Sequence, residues 1–113
     1  MSAQAALAWC PCPDSDSAKA LVNALLDEKL IACANILSPM QSIFEWNCVR
    51  GEATEVGLLM KTSADLLADL CCRVEQLHPY DTPVVMGWKA DAANAATLDW
   101  IGAMGQAMDG ADG

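Results

Sequence analysis

The sequence predicts one α+β domain in which an antiparallel sheet carries its main helices on a single face. Three observations predict it. Short apolar or β-branched segments alternate with segments whose apolar residues recur at helical spacing. Their order is strand, helix, strand, strand, helix, strand and then an extra C-terminal helix, with no internal repeat and no linker. At 113 residues and 54% hydrophobic content the chain has the size and the apolar material for one core. Residues 1–113 are therefore expected to form a single domain, ordered over about residues 3–108. The order is the split βαβ, ferredoxin-like pattern. Right-handed crossovers then put both main helices on one face of the sheet and leave the other uncovered by the chain itself.

Each element follows from its residues. Ala3 to Trp9 is short and apolar and reads as an interior strand, ended by Cys10-Pro11-Cys12-Pro13, where two prolines lack the N–H that a ladder needs. Asp14 to Ser17 supply capping oxygens for a first helix running to about Lys29, with Ala18, Leu21, Val22, Leu25 and Leu26 on one side. Ile31 to Trp46 reads as an extended strand kinked at Ser38-Pro39, with β-branched and aromatic residues in its second half. Arg50-Gly51-Glu52 is the turn signal before a return strand, Glu55 to Thr62, so the two form a hairpin. By the period of two, Val56, Leu58 and Met60 face the core, and Glu55, Gly57, Leu59 and Lys61 face away. Ser63 caps a second helix with the stripe Leu66, Leu67, Leu70, Cys71, Val74 and Leu77, ended by His78-Pro79. Val84 to Trp88 is the last strand, and a helix from about Ala92 turns Leu98, Ile101, Met104 and Met108 inward. The glycine-rich tail after Asp109 is expected to fray.

Charge and cysteines narrow the function. Six Lys plus Arg against fifteen Asp plus Glu leave a formal charge of -9, which repels phosphate backbones and anionic membranes and so argues against a nucleic-acid or membrane partner. The same field concentrates cations and keeps an apolar surface soluble. No apolar run approaches the roughly 20 residues of a membrane helix, and Met1 to Trp9 has no signal-peptide pattern, so a cytoplasmic setting is expected. The six cysteines, Cys10, Cys12, Cys33, Cys48, Cys71 and Cys72, are then reduced thiols, and no C-x-x-C spacing supports a zinc ribbon.

The predicted topology sorts the residues that could do chemistry. Cys10, Cys12, Trp46, Glu55, His78 and Tyr80 fall toward one end of the sheet, and Cys33 and Lys61 toward the other. Glu55 and Lys61 are separated by six residues of strand, roughly 20 Å, so a site using both must lie between subunits. His78 is the only histidine, and a metal there must be completed by sulfur or carboxylate, a set that suits copper or zinc. Trp46 is either an interface anchor or the wall of a pocket. Lys61 is either solvated or buried against another chain with an anion or carboxylate as companion. Tyr80 and Asp81 sit in a loop held by Pro79 and Pro83, explained by turn geometry or by ligand contact. One histidine and no nucleophile elbow leave little basis for an enzyme.

Cys33-Ala34-Asn35 after Glu28-Lys29-Leu30, Ser42-Ile43-Phe44-Glu45-Trp46, Glu55, Lys61-Thr62 and His78-Pro79-Tyr80-Asp81-Thr82-Pro83 occur in that order. Together they resemble the signature of the CutA divalent-cation tolerance family over about Leu7 to Ile101. The resemblance implies a homotrimer of ferredoxin-like subunits, a link to tolerance of copper and other divalent ions, and an architecture like that of the PII signalling proteins. It also implies a ligand cleft drawing on Trp46, Glu55, Lys61 and Tyr80, and metal ligands among Cys10, Cys33 and His78, since family members can carry cysteine at the first two positions. A PII-like alternative puts a small anionic molecule in the same clefts, although no glycine-rich phosphate loop is present. Against the family pattern, Val84 stands where a glutamate is usual, Cys48 where a glycine is common, Val49 where a lysine is frequent and Phe44 in place of a tyrosine.

Overall fold

The computed structural model describes residues 4–104. Five strands and three helices follow the predicted order: β1 Ala5–Cys12, α1 Ser15–Asp27, β2 Cys33–Ile36, β3 Met40–Trp46, β4 Val49–Ser63, α2 Leu67–Leu77, β5 Met86–Lys89 and α3 Ala95–Gly102. The expected kinked strand is resolved as β2 and β3, both paired with β4. The sheet order is β2-β4-β1-β5, all antiparallel, and β3 extends the far half of β4. Met108 and the tail after Asp109 lie outside the described residues. No helix is long and apolar enough to cross a membrane among the described residues.

The core lies between the sheet and the two main helices. Alternation along β1 buries Ala6, Ala8, Cys10 and Cys12, and the register brings Cys10 opposite Leu58 and Cys12 opposite Val56. Leu21 and Leu25 of α1 and Leu70 and Val74 of α2 close over this face. Each such side chain contributes about 1.5–3 kcal/mol by leaving water. Thr62, also fully buried, donates its hydroxyl to the Leu30 carbonyl at 2.7 Å, so no buried polar side-chain atom among the described residues lacks a partner.

Helix ends follow local chemistry. The Asp14 carboxylate accepts from the Ser17 N–H at 2.8 Å and caps α1, and that bond holds its carboxyl below the usual range. At the other end Lys29 takes the left-handed conformation, φ 62°, while Leu30 N–H reaches Leu25 and Lys29 N–H reaches Leu26. This Schellman closure ends the helix at Asp27 rather than at Lys29. Ser63 makes no side-chain cap; a short 3-10 turn, Ala64–Leu66, leads into α2 instead.

Three departures from expectation have physical reasons. β1 runs through Pro11 because Pro11 and Gly57 are paired with their backbone groups turned outward: the Gly57 carbonyl accepts from Leu37, and the Pro11 carbonyl meets His78. The proline nitrogen thus points where no ladder bond is required, beyond the last β5 pairing at Trp9. The hairpin turns at Asn47-Cys48, with φ of 52° and 66°, not at Arg50-Gly51-Glu52, which lies inside β4. Two consecutive positive φ values mark the two-residue hairpin turn whose twist matches the strands. Between the pairs Ile36↔Leu58 and Met40↔Glu55, three residues, Leu37, Ser38 and Pro39, face two of β4. That extra residue bends the chain away from the main sheet. The last strand and last helix also begin later than expected, at Met86 and Ala95.

The result is a sheet with an arm. β3 and the far half of β4 project as a two-stranded ribbon in which Ile43, Phe44, Trp46 and Val49 are exposed. On the sheet face opposite the main helices, Met86 and Trp88 of β5 stand beside Trp9 and Leu7 of β1 and are also exposed.

Candidate functional site

Pro11, the base of the arm and the loop after α2 enclose a cleft of ≈ 710 Å³. Ser42, Phe44 and Trp46 share one face of β3, and Ala53 and Glu55 face them from β4. Tyr80, Asp81, Thr82 and Val84 close the opposite wall. Gly51 lets the Phe44 ring lie flat across the ribbon; a Cβ there would stand 2.8 Å from the ring edge.

A chain of hydrogen bonds ties this cleft to the core. The Tyr80 hydroxyl donates to Glu55 Oε2 at 2.8 Å, and Glu55 is only 9% exposed. Burial, reinforced by the Glu55 carboxylate, pushes the Tyr80 phenol up to about 12, so it remains a donor at neutral pH. Tyr80 N–H donates to His78 Nδ1 at 3.1 Å, and His78 Nε2 lies 2.8 Å from the Pro11 carbonyl. An accepting Nδ1 requires the proton on Nε2, which donates to Pro11. Both imidazole nitrogens are therefore engaged by backbone, and the ring packs on Tyr80 with centroids 4.9 Å apart.

Beneath them sit two sulfurs. Cys10, Cys12 and His78 place their ligand atoms within 4.8 Å of one another, all buried. Its Cys12 neighbour and burial hold the Cys10 thiol far above its ordinary range, and Cys10 Sγ donates to the Pro11 carbonyl at 3.7 Å. The Cys10 neighbour in turn lowers Cys12. Two sulfurs and an imidazole suit a soft ion by donor chemistry, but His78 can ligate only by giving up Pro11 or Tyr80. Cys33 is not part of this group: it pairs across the sheet with Lys61, at the other end of β4. The third member is Cys12, which its alternation with Cys10 along one strand face could have identified.

The remaining predicted residues divide as the topology requires. Trp46, Glu55 and Tyr80 line one cleft. Lys61 does not; it borders a smaller recess of ≈ 190 Å³ with Leu7, Trp100 and Ile101. Val84, where a family glutamate was expected, lines the cleft as an apolar wall. Cys71 is half-buried and Cys72 exposed, a flank rather than a site.

Residues 6–104 match the family described as CutA1 divalent ion tolerance protein. The divalent-cation tolerance protein CutA of Pyrococcus horikoshii is 40% identical over 89 residues, 79% of this chain and 86% of that protein. The crystal structure of the divalent ion tolerance protein CutA1 from Ehrlichia chaffeensis superposes with a TM-score of 0.85 at 31% identity, covering 90% of this chain and 95% of the other. The structure described as the periplasmic divalent cation tolerance protein CutA from Archaeoglobus fulgidus gives 0.83 at 29% identity, covering 88% and 97%.

Proposed function

Because this chain belongs to the CutA1 divalent ion tolerance family, we propose that it serves tolerance of divalent cations, copper among them, as a homotrimeric binding protein whose clefts lie where subunits meet. The observation that carries the reading is the arm. Ile43 and Val49, 68% and 67% exposed, sit on a ribbon that the chain itself does not cover, beside the aromatic cleft. Exposed apolar surface of this kind marks association. Binding rather than catalysis is supported by His78, both of whose nitrogens are engaged by backbone, which leaves no free imidazole base at the cleft.

For a soft ion the thiols of Cys10 and Cys12 are the natural donors, with His78 joining if it releases Pro11. The PII-like alternative, a small anion, has weaker support at this cleft, because no Lys or Arg lines it and Lys61 lies at the far end. The cytoplasm is the proposed compartment, supported by six unbridged cysteines. Cell fractionation tests it against the periplasmic setting ascribed to the Archaeoglobus relative.

Light scattering on reduced protein tests the assembly. The expected mass is about 36 kDa, three times the 12.0 kDa chain. A stable 12.0 kDa species at micromolar concentration would contradict it. Titration with Cu(I) and zinc tests the thiol site. The native protein is expected to outbind a Cys10→Ser, Cys12→Ser variant, and equal affinity would remove the site.

A further inference from the structure

The cleft at the base of the arm carries a charge pattern that fits neither a bare metal nor an anion. Its aromatic wall is Phe44, Trp46 and Tyr80, and its carboxylates are Glu45, Glu55 and Asp81, with no Lys, Arg or His among the lining residues. Glu45 is already paired with Arg50 at 2.8 Å. Glu55 is different. It is about nine-tenths buried, one oxygen receives Tyr80, and no cation lies within salt-bridge distance of it among the described residues. This carboxylate, largely shielded by the protein and opening only into the cleft, favours a positive partner there, and none lies beside it among the described residues.

A metal ion is a poor candidate for that partner. The one convergent set of ligand atoms among the described residues is Cys10, Cys12 and His78, so the cleft's carboxylates do not come together around a point. An ion held by one carboxylate and a phenol would keep most of its water. An organic cation fits better. An ammonium group can meet Glu55 by a charge-assisted hydrogen bond while its apolar body lies against Phe44, Trp46 and Val84. Aromatic faces attract a cation that has lost part of its hydration, and ≈ 710 Å³ accommodates a small molecule.

We infer that this cleft binds an organic ammonium cation, with Glu55 as its counter-charge, Tyr80 orienting that carboxylate and Phe44 and Trp46 holding the apolar body. The inference rests on the reading of the cleft as the ligand site, but not on the trimer.

Calorimetry with phenethylamine, 2-phenylethanol and 3-phenylpropionate at neutral pH tests it. The amine is expected to bind on the order of ten-fold or more tighter than the alcohol, as a charge-assisted bond implies, and the carboxylate not at all. Glu55→Gln should remove that preference and Tyr80→Phe reduce it, while Asp69→Asn, at an exposed carboxylate of α2 that does not line the cleft, leaves it. Should Glu55→Gln fail to fold, the amine-against-alcohol comparison on native protein decides alone. Equal binding of alcohol or carboxylate overturns the inference, as does no amine binding. If Lys61→Met gains amine binding that the native protein lacks, the positive partner is a lysine of a neighbouring copy, and the free-ligand reading fails. Scattering on the same samples keeps the two proposals apart. A trimer that ignores the amine sinks this inference only, and a monomer that binds it sinks the assembly only.

Discussion

β4 is a single strand of 15 residues whose two halves live in opposite surroundings. From Val56 to Ser63 it pairs with β1, and from Leu58 to Lys61 with β2 as well, with Leu58, Met60 and Thr62 wholly buried under the helices. From Val49 to Glu55 it has β3 alone, and Val49, Ile43, Phe44 and Trp46 remain exposed. The inner half is stabilised by its own chain. A two-stranded ribbon is marginal in water, so the outer half requires another molecule to become equally firm. Glu55 stands at the boundary, buried by the inner half and opening into the cleft of the outer half.

The sharpest break in this comparison comes from one truncation in each half. Leu58→Ala is expected to cost about 2–5 kcal/mol, seen as a lower urea midpoint at unchanged slope. Ile43→Ala, on the arm, should leave the unfolding of the dissociated chain within about 0.5 kcal/mol while moving the scattering mass toward 12.0 kDa. A large midpoint loss for Ile43→Ala with an intact assembly would mean that the arm is held from within.

The next effect sits at the boundary. Tyr80 is the only tyrosine, so phenolate absorbance reports it alone. Burial, then the hydrogen bond and charge of Glu55, raise its pKa from 10.0 to about 12. The folded state thus holds the proton more tightly. The resulting stability is fully present below pH 10 and declines as pH rises through about 12. Glu55→Gln should bring the phenol part of the way back. A folded native protein whose phenol titrates at its ordinary value would show that Glu55 and Tyr80 are solvated.

The smallest effect is at the tip. Cys48 occupies a left-handed conformation, φ 66°, that favours glycine. Cys48→Gly should therefore stabilise the protein by about 0.5–1 kcal/mol, read as a higher thermal midpoint. A fall in midpoint would assign the Cys48 side chain a contact that the ribbon alone does not show.

Which parts of this were legible in the sequence follows from the same physics. α1 could be read from Asp14 and the spacing of Leu21 and Leu25, and the two faces of β4 from strict alternation, because each signal is local. The hairpin turn was hidden: Asn47 announces it, but cysteine in place of glycine at position 48 shifts attention to Gly51, which serves to seat Phe44. Pro11 looked like a strand terminator because its lack of a hydrogen-bonding partner depends on where β5 ends, a non-local fact. The placement of Glu55, Trp46 and Tyr80 at one end and of Cys33 and Lys61 at the other was accessible from topology. The engagement of both His78 nitrogens was not, since it depends on the exact approach of the loop after α2 to β1.

The central claim is that the outer half of β4 is covered in solution. Amide hydrogen exchange on the native protein tests it most directly. Protection in β3 and in residues 49–54 is expected to approach that of β1 in the assembled protein and to fall selectively in Ile43→Ala. If the arm's amides exchange rapidly in the native protein while those of β1 stay protected, the ribbon stands free in water and the account is wrong.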